Sequence, residues 1–264
     1  MQRIEQNGQV YYQFERLQGH GELRHGIFSR KGGVSAAPFE SLNVGSTVGD
    51  EQANVLENRE RLAQAMGVHD EQVHTTWQVH SADVLVVRKP DRQWPPPKAD
   101  GLVTDQPGLP IGMRFADCVP LLFYDPVKRA VGMAHAGWRG TAAGVGPCTV
   151  ETMCDVFGCR PTDIIAGIGP SIGPARYEVG PEVAAEIKAA FGDTEGLLVH
   201  PNGGGARPHL DLWEANRRAL EQVGVRQIEL AEMCTASNVD EFYSHRAEAG
   251  RTGRFGALAV LGSS

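Results

Sequence analysis

The 264-residue chain reads as a mixed α/β (α+β) fold, a mixed β-sheet core with helices packed on it. Two observations predict this class. Short apolar runs of strand length alternate with longer segments of helical periodicity. Several neighbouring runs are joined by short links, whereas parallel neighbours need crossovers of about a dozen residues or more. A purely parallel, doubly wound sheet is therefore excluded. No internal repeat or low-complexity segment divides the chain, so residues 1–264 are read as a single domain.

In chain order, Tyr11–Phe14 and Leu23–Phe28 are strand-like, and Ser29–Phe39 and Asn43–Asp50 are loops rich in Gly and Ser. Asp50 is expected to cap a helix over Glu51–Met66, whose Val55, Leu56, Leu62, Ala63 and Met66 share one face and which Gly67 ends. Arg59 lies beside that stripe, either as a stem reaching to water or as a guanidinium turned into a site. Val73–Val79 reads as a strand closed by His80, and Ser81–Asp83 turn the chain into a second strand, Val84–Val87. Asp91–Pro97 is a Trp/Pro-rich loop, and Ala99-Asp100-Gly101 leads into apolar Leu102 and Val103. Leu109–Phe115 is a further strand. Val119–Tyr124 and Ala130–Ala134 flank the turn signature Asp125-Pro126 and form a pair. Helices are expected at Ala142–Phe157, Pro181–Phe191 and Leu212–Val223, with Pro181 suited to a first turn. Asp163–Ile168, Ile228–Met233 and Gly256–Leu261 are strands, and Asn202–Pro208 is a loop.

Formal net charge is −7 and no basic stripe is present, so no nucleic-acid partner is expected. The opening MQRIEQNGQVYYQFERLQ is too polar for a signal peptide, and no apolar run reaches membrane-spanning length. The five cysteines fit no disulfide framework, and a cytoplasmic protein is expected.

His80, Cys118 and His135 share one kind of position: each lies at a strand end beside a turn, where sheet proteins place reactive groups. If Val119–Tyr124 and Ala130–Ala134 pair antiparallel, Cys118 and His135 meet at one edge of a sheet. Two imidazoles and a thiolate suit Zn²⁺ and leave a fourth position for water or substrate; Cu²⁺ can also be held. A second reading needs no metal: Cys118 as nucleophile, His135 as its base, and Asp117 or Asp100 orienting the imidazole. Taken singly, each His also reads as a hydrogen-bonded structural residue and Cys118 as a small buried hydrophobe. Ala134, Ala136, Gly137 and Gly140 leave room at this edge, and Trp138 offers an aromatic wall. Arg139 and Arg246 are the evident anion binders. Cys148, Cys154 and Cys159 form no Cys-x-x-Cys pair, Gly167-Ile168-Gly169 misses the dinucleotide fingerprint, and no P-loop occurs.

Six segments resemble the laccase-domain family, also called the peptidoglycan-editing-factor or polyphenol oxidase family. They are WQVHSADV (77–84), ADGLVT (99–104), ADCVPLLFYDP (116–126), AHAGWRGTAAGV (134–145), IGPSIGPARYEVG (168–180) and CTASNVDEFYSHRAEAGRTGRFGALAVL (234–261). The resemblance runs nearly end to end and implies a three-layer α/β/α fold. It implies zinc, with copper as the alternative, held by His80, Cys118 and His135. It also implies a purine nucleoside phosphorylase that cleaves adenosine, inosine, guanosine and methylthioadenosine with phosphate and deaminates adenosine. Catalytic roles are then expected for Cys118, His80, His135, Asp117 and Asp100, and substrate contacts for Arg59, Asn43, Trp138, Arg139, Tyr243 and Arg246. The family also carries other activities: hydrolytic editing of a UDP-linked peptidoglycan precursor and copper-linked phenol oxidation. A non-enzymatic, metal-binding role completes the alternatives.

Overall fold

A strand whose odd and even residues are both apolar must be covered on both faces, and that requirement sets the layers of this protein. The computed structural model describes residues 1–200 and 207–262; 202–206, most of the loop expected at Asn202–Pro208, lie outside the described residues. The strands are β1 (Gln2–Gln6), β2 (Gln9–Gln13), β3 (Leu23–Phe28), β4 (Val84–Val86), β5 (Gly101–Thr104), β6 (Ile111–Phe115), β7 (Val119–Asp125), β8 (Ala130–Ala136), β9 (Ile165–Ile168), β10 (Leu198–Val199), β11 (His209–Leu210), β12 (Gln227–Leu230) and β13 (Phe255–Leu261). The helices are α1 (Glu15–Gln18), α2 (Gln52–Ala65), α3 (Trp138–Ala142), α4 (Val145–Phe157), α5 (Pro181–Phe191) and α6 (Leu212–Gln222).

Two main sheets result. One, in the order β1-β2-β3-β13-β6, is antiparallel throughout. The other, β12-β9-β7-β8-β5-β4, is mixed, with β12/β9 and β5/β4 parallel and the three central pairings antiparallel. The β-period divides each central strand between two cores. Leu122 and Tyr124 of β7, Val131 and Met133 of β8, and Met113 and Phe115 of β6 meet Phe255 and Ala257 of β13 between the sheets. Leu121 and Phe123 point the other way, onto Val150 and Met153 of α4, Ile187 of α5 and Leu220 of α6. On the outer face of the first sheet, Tyr11, Phe28, Leu258 and Val260 pack under Leu62 and Ala63 of α2. The mixed α/β class stands. The layers, however, are helix, sheet, sheet and helix, four where the family resemblance implied three, because β1, β2 and β3 join β13 and β6 in a second sheet.

Other expectations need correction. Val73–Val79 is not a strand; among the described residues its β-pairing is limited to isolated bridges, His74 to Ile111 and Trp77 to Lys98. The helix expected from Ala142 begins earlier as α3, then breaks at Gly144, whose φ of 79° is left-handed, before α4 continues. Asp50 does not cap α2. Its Oδ2 accepts from Ser35 Oγ (2.6 Å) and Asn43 Nδ2 (2.8 Å), tying two loops together. β1, with its polar and mostly exposed side chains, carries no apolar signal.

The pairing that matters for function is β7 with β8, antiparallel in the register Val119–Ala136 and Pro120–His135. The chain leaves β6 in the first sheet, crosses through 116–118 and enters β7 in the second. Cys118 thus lies at the crossing, at the open end of the inter-sheet core. Packing between the sheets is tight at Gly167 of β9, where an added Cβ would lie 2.4–2.5 Å from the ring of fully buried Phe14. Gly167→Ala should therefore lower unfolding stability by about 1–3 kcal/mol. Gly21→Ala, with nothing within 4 Å of the new carbon, should be close to neutral. Equilibrium urea unfolding of the two variants checks this, and equal midpoints would contradict it.

Candidate metal centre

His80, Cys118 and His135 come together at this crossing, with one ligand atom from each lying within 4.8 Å of the others. The β7/β8 register brings Cys118 beside His135, which lies inside β8, one residue from its end, rather than following it. His80 arrives on a separate turn with a left-handed φ of 63°. The two imidazole rings are 5.0 Å apart. Gly137 completes the cradle: a Cβ there would lie 2.7 Å from Cys118 Sγ and 3.2 Å from His80 Nδ1, in the space between two of the donors.

Asp100 organises the cluster. It is fully buried just before β5. Its Oδ1 lies 2.8 Å from His135 Nδ1, which directs the Nε2 lone pair of that ring away from the carboxylate. Its Oδ2 accepts from the backbone N–H of Val79 (3.0 Å) and Ser81 (2.7 Å), on either side of His80, and from Ser81 Oγ (3.2 Å). Burial would raise the Asp100 pKa, but these bonds outweigh it and leave it at about 2. Burial would likewise keep the Cys118 thiol neutral; the His135 and His80 rings override it and bring the pKa below the ordinary thiol value. Against its own burial, His135 is raised by Cys118 and Asp100. A thiolate and two imidazoles held by a buried carboxylate are the donor chemistry of a three-ligand metal site with one position open.

The cluster opens into a cleft of about 500 Å³. Arg114, Arg139, Arg246 and Arg254 line it, with Asp117 the one carboxylate among the described lining residues. Both Asp117 oxygens are engaged: Oδ1 accepts from Thr235 Oγ1 (2.7 Å) and Oδ2 from the Arg246 N–H (2.6 Å). The cleft is therefore cationic in a protein of net charge −7. Its walls include the half-exposed indole of Trp77, together with Trp138, Tyr177 and His245.

Comparison with known proteins shows the family. A family model described as multi-copper polyphenol oxidoreductase laccase matches residues 24–262. The chain belongs to that family. A purine nucleoside phosphorylase of Deinococcus radiodurans is 42% identical over 237 residues, covering 90% of this chain and 88% of the relative. The purine nucleoside phosphorylase YlmD of Geobacillus stearothermophilus is 39% identical over 246 residues, covering 90% and 89%. The crystal structure of YlmD from that organism superposes with a TM-score of 0.88 over 98% of both chains at 34% identity. That of the Bacillus licheniformis hypothetical protein YfiH gives 0.89 over 98% of both at 33%. Although the family description speaks of several coppers, the described residues of this laccase-family chain offer a single cluster with metal-site spacing.

The expected site residues divide. Trp138, Arg139 and Arg246 line the cleft with the three metal-site residues. Tyr243 does not; it is fully buried, donates to Phe39 O (2.6 Å) and carries Arg30 on its ring at 4.4 Å. Asn43 is fully buried as well, with Oδ1 accepting from the N–H of Gly45 and Arg254 (2.9 and 2.8 Å), so it supports the cleft without facing it. Arg59 lines a separate recess. Of the two carboxylates offered to orient the imidazole, Asp100 is the one bonded to His135, while Asp117 accepts from Thr235 and the Arg246 backbone. Arg114 and Arg254 were not anticipated. The signal for Arg114 was present: it is the lone charge within the apolar strand Ile111–Phe115. No local pattern marks Arg254.

Two outcomes follow from the geometry. Asp100→Asn should weaken divalent-metal affinity about 10–100-fold, the usual cost of losing a carboxylate behind a ligating histidine; competition against a chromogenic chelator measures it. Gly137→Ala should also lose metal while circular dichroism stays native, because the new methyl group enters the cradle. Unchanged metal stoichiometry in both variants would refute the assignment.

Proposed function

We propose that the protein is a metal-dependent purine nucleoside phosphorylase that also deaminates adenosine. The observation that carries this reading is a His/Cys/His cluster opening directly into a cleft with four arginines and an exposed indole. The names of the relatives support the substrate class. His80, Cys118 and His135 would hold Zn²⁺, and the same donors accept copper. When bound, such an ion supplies a Lewis acid at the head of the cleft.

The remaining chemistry belongs to the chain. Arg139 and Arg246 are exposed, held over the Trp138 and Tyr177 rings, and placed to meet phosphate as it enters; Arg114 and Arg254 lie deeper and offer fixed positive charge. Guanidinium forks match phosphate oxygens and stabilise the charge that shifts during transfer. Trp77 and Trp138 give the purine flat apolar surface. In phosphorolysis a phosphate oxygen bonds to C1′ of the ribose and the C1′–N9 bond breaks, its electron pair leaving with the base. The products are free purine and ribose 1-phosphate. His245, an imidazole of the cleft outside the metal cluster, is the residue we assign to protonate the departing base. Deamination replaces the C6 amino group of adenosine by water-derived oxygen and releases ammonia. Adenosine, inosine, guanosine and methylthioadenosine share the parts this cleft would contact.

A second reading has its own support. Cys118, His135 and Asp100 stand in the order nucleophile, base and orienting carboxylate, with the His135–Asp100 bond at 2.8 Å. That arrangement suits a cysteine amidohydrolase acting on a UDP-linked cell-wall precursor, which would need neither phosphate nor metal.

Chromatography separates the two. Inosine with phosphate should yield hypoxanthine and ribose 1-phosphate, and adenosine should also yield inosine, with Cys118→Ala abolishing both. Arg139→Lys, which lacks the bidentate fork, should raise the phosphate KM about tenfold or more. Absence of hypoxanthine at every zinc loading rejects the phosphorylase. A Cys118 acyl-enzyme seen by mass spectrometry would then favour the amidohydrolase.

A further inference from the structure

Arg114 has a second side. On the outer face of the first sheet, under α2, lies a recess of about 50 Å³. Its wall is apolar at Val44, Leu62 and Val73, and three guanidiniums reach it: Arg59 from α2, Arg92 from the Trp/Pro loop and Arg114 from β6. Arg114 lines both this recess and the metal cleft. The one carboxylate here among the described residues is Asp70, 3.8 Å from Arg92 Nη1. Three positive charges therefore face one negative charge.

Few of their donors are used. Arg59 gives Nε to Val44 O (3.1 Å). Arg114 gives Nη2 to Thr76 O (2.8 Å) and Nε to Gln78 Oε1 (3.4 Å). Arg92 gives Nη1 to Asp70 O (2.9 Å). Both terminal nitrogens of Arg59 and Nη1 of Arg114 have no hydrogen-bond acceptor among the described residues. Burial, together with Arg59, Arg254 and Arg92, depresses the Arg114 pKa to about 10, which reflects the same uncompensated charge. Like charges gathered against apolar walls with idle donors are stabilised by an anion that accepts from several at once.

We propose that this recess binds one inorganic tetrahedral oxyanion, phosphate or sulfate, between Arg59, Arg92 and Arg114. At roughly 10–15 Å³ per water-sized group, its volume holds about four such groups, which matches four oxygens and leaves no room for a nucleoside. The site is distinct from any phosphate subsite in the cleft and does not depend on the reaction carried out there. An anion behind Arg114 would lower the positive potential felt on the cleft side, so occupancy of the recess would weaken anion binding in the cleft.

Calorimetric titration of the metal-loaded protein with sulfate, and separately with phosphate, tests the proposal. Arg59→Met should bind one anion fewer than wild type. Arg92→Gln, altered in an exposed loop, should weaken the same event about tenfold or more, and it serves if Arg59→Met folds poorly. Arg139→Met, altered on the cleft side, should retain the event that Arg59→Met removes. Wild-type stoichiometry and affinity in both recess variants, or no anion bound by wild type, would overturn it. Nucleoside turnover is not the readout, so failure of the phosphorylase reading would leave this result interpretable.

Discussion

Asp100 has no exposed surface, and its two oxygens accept hydrogen bonds from different parts of the chain. One holds the ring of His135, near the end of β8; the other holds the backbone on both sides of His80. Burying an ionised carboxylate costs several kcal/mol unless its lone pairs are satisfied. Here they are satisfied by the groups whose positions the site requires. The desolvation cost and the site geometry are thus one problem with one solution. The backbone bond from His135 N to Asp100 O (2.8 Å) fixes the same pair of strands from the other direction.

The second organising feature is the separation of charge. The protein carries a net charge of −7, yet its cleft gathers guanidiniums from positions 114, 139, 246 and 254. Each lies on a different local structure: a strand, a short helix, an irregular segment and the entry to the last strand. Low-dielectric walls around such a cluster focus its field outward and favour anionic ligands despite the net charge. Asp117 offsets only one of these four charges, and its carboxylate accepts from Thr235 and from the backbone of Arg246. It uses its charge to hold the segment that delivers one of those arginines.

Sandwiching two sheets gives the site its place. The chain passes directly from β6 in one sheet to β7 in the other, so the residues between them must cross at the rim of the inter-sheet core. Phe115 closes that core and touches the His135 ring, with centroids 5.5 Å apart. Cys118 and His135 therefore stand at the paired ends of β7 and β8, with His80 on a turn beside them, at a boundary between packed apolar side chains and an open cationic cleft. The glycine at 137 keeps the same boundary clear of a side chain between Cys118 and His80.

Local sequence determined the helices, most of the strands and the β7/β8 hairpin, because apolar periodicity and turn residues act over a few positions. That hairpin alone brings Cys118 next to His135, and the motif around His80 named the third member of the cluster. Tertiary structure decided what local pattern does not encode. The run Val73–Val79 has strand composition, yet it found no full strand partner and became a positioning loop. Tyr243, Asn43 and Arg59 look like contact residues by type, but packing took the first two into the interior and turned the third to another recess. Arg114 and Arg254 entered the cleft through pairing of β6 with β13, over about 140 residues of chain. Residue type and spacing report on neighbours along the chain; which charges share a cavity is set by sheet order and register, which arise only when distant strands compete for partners.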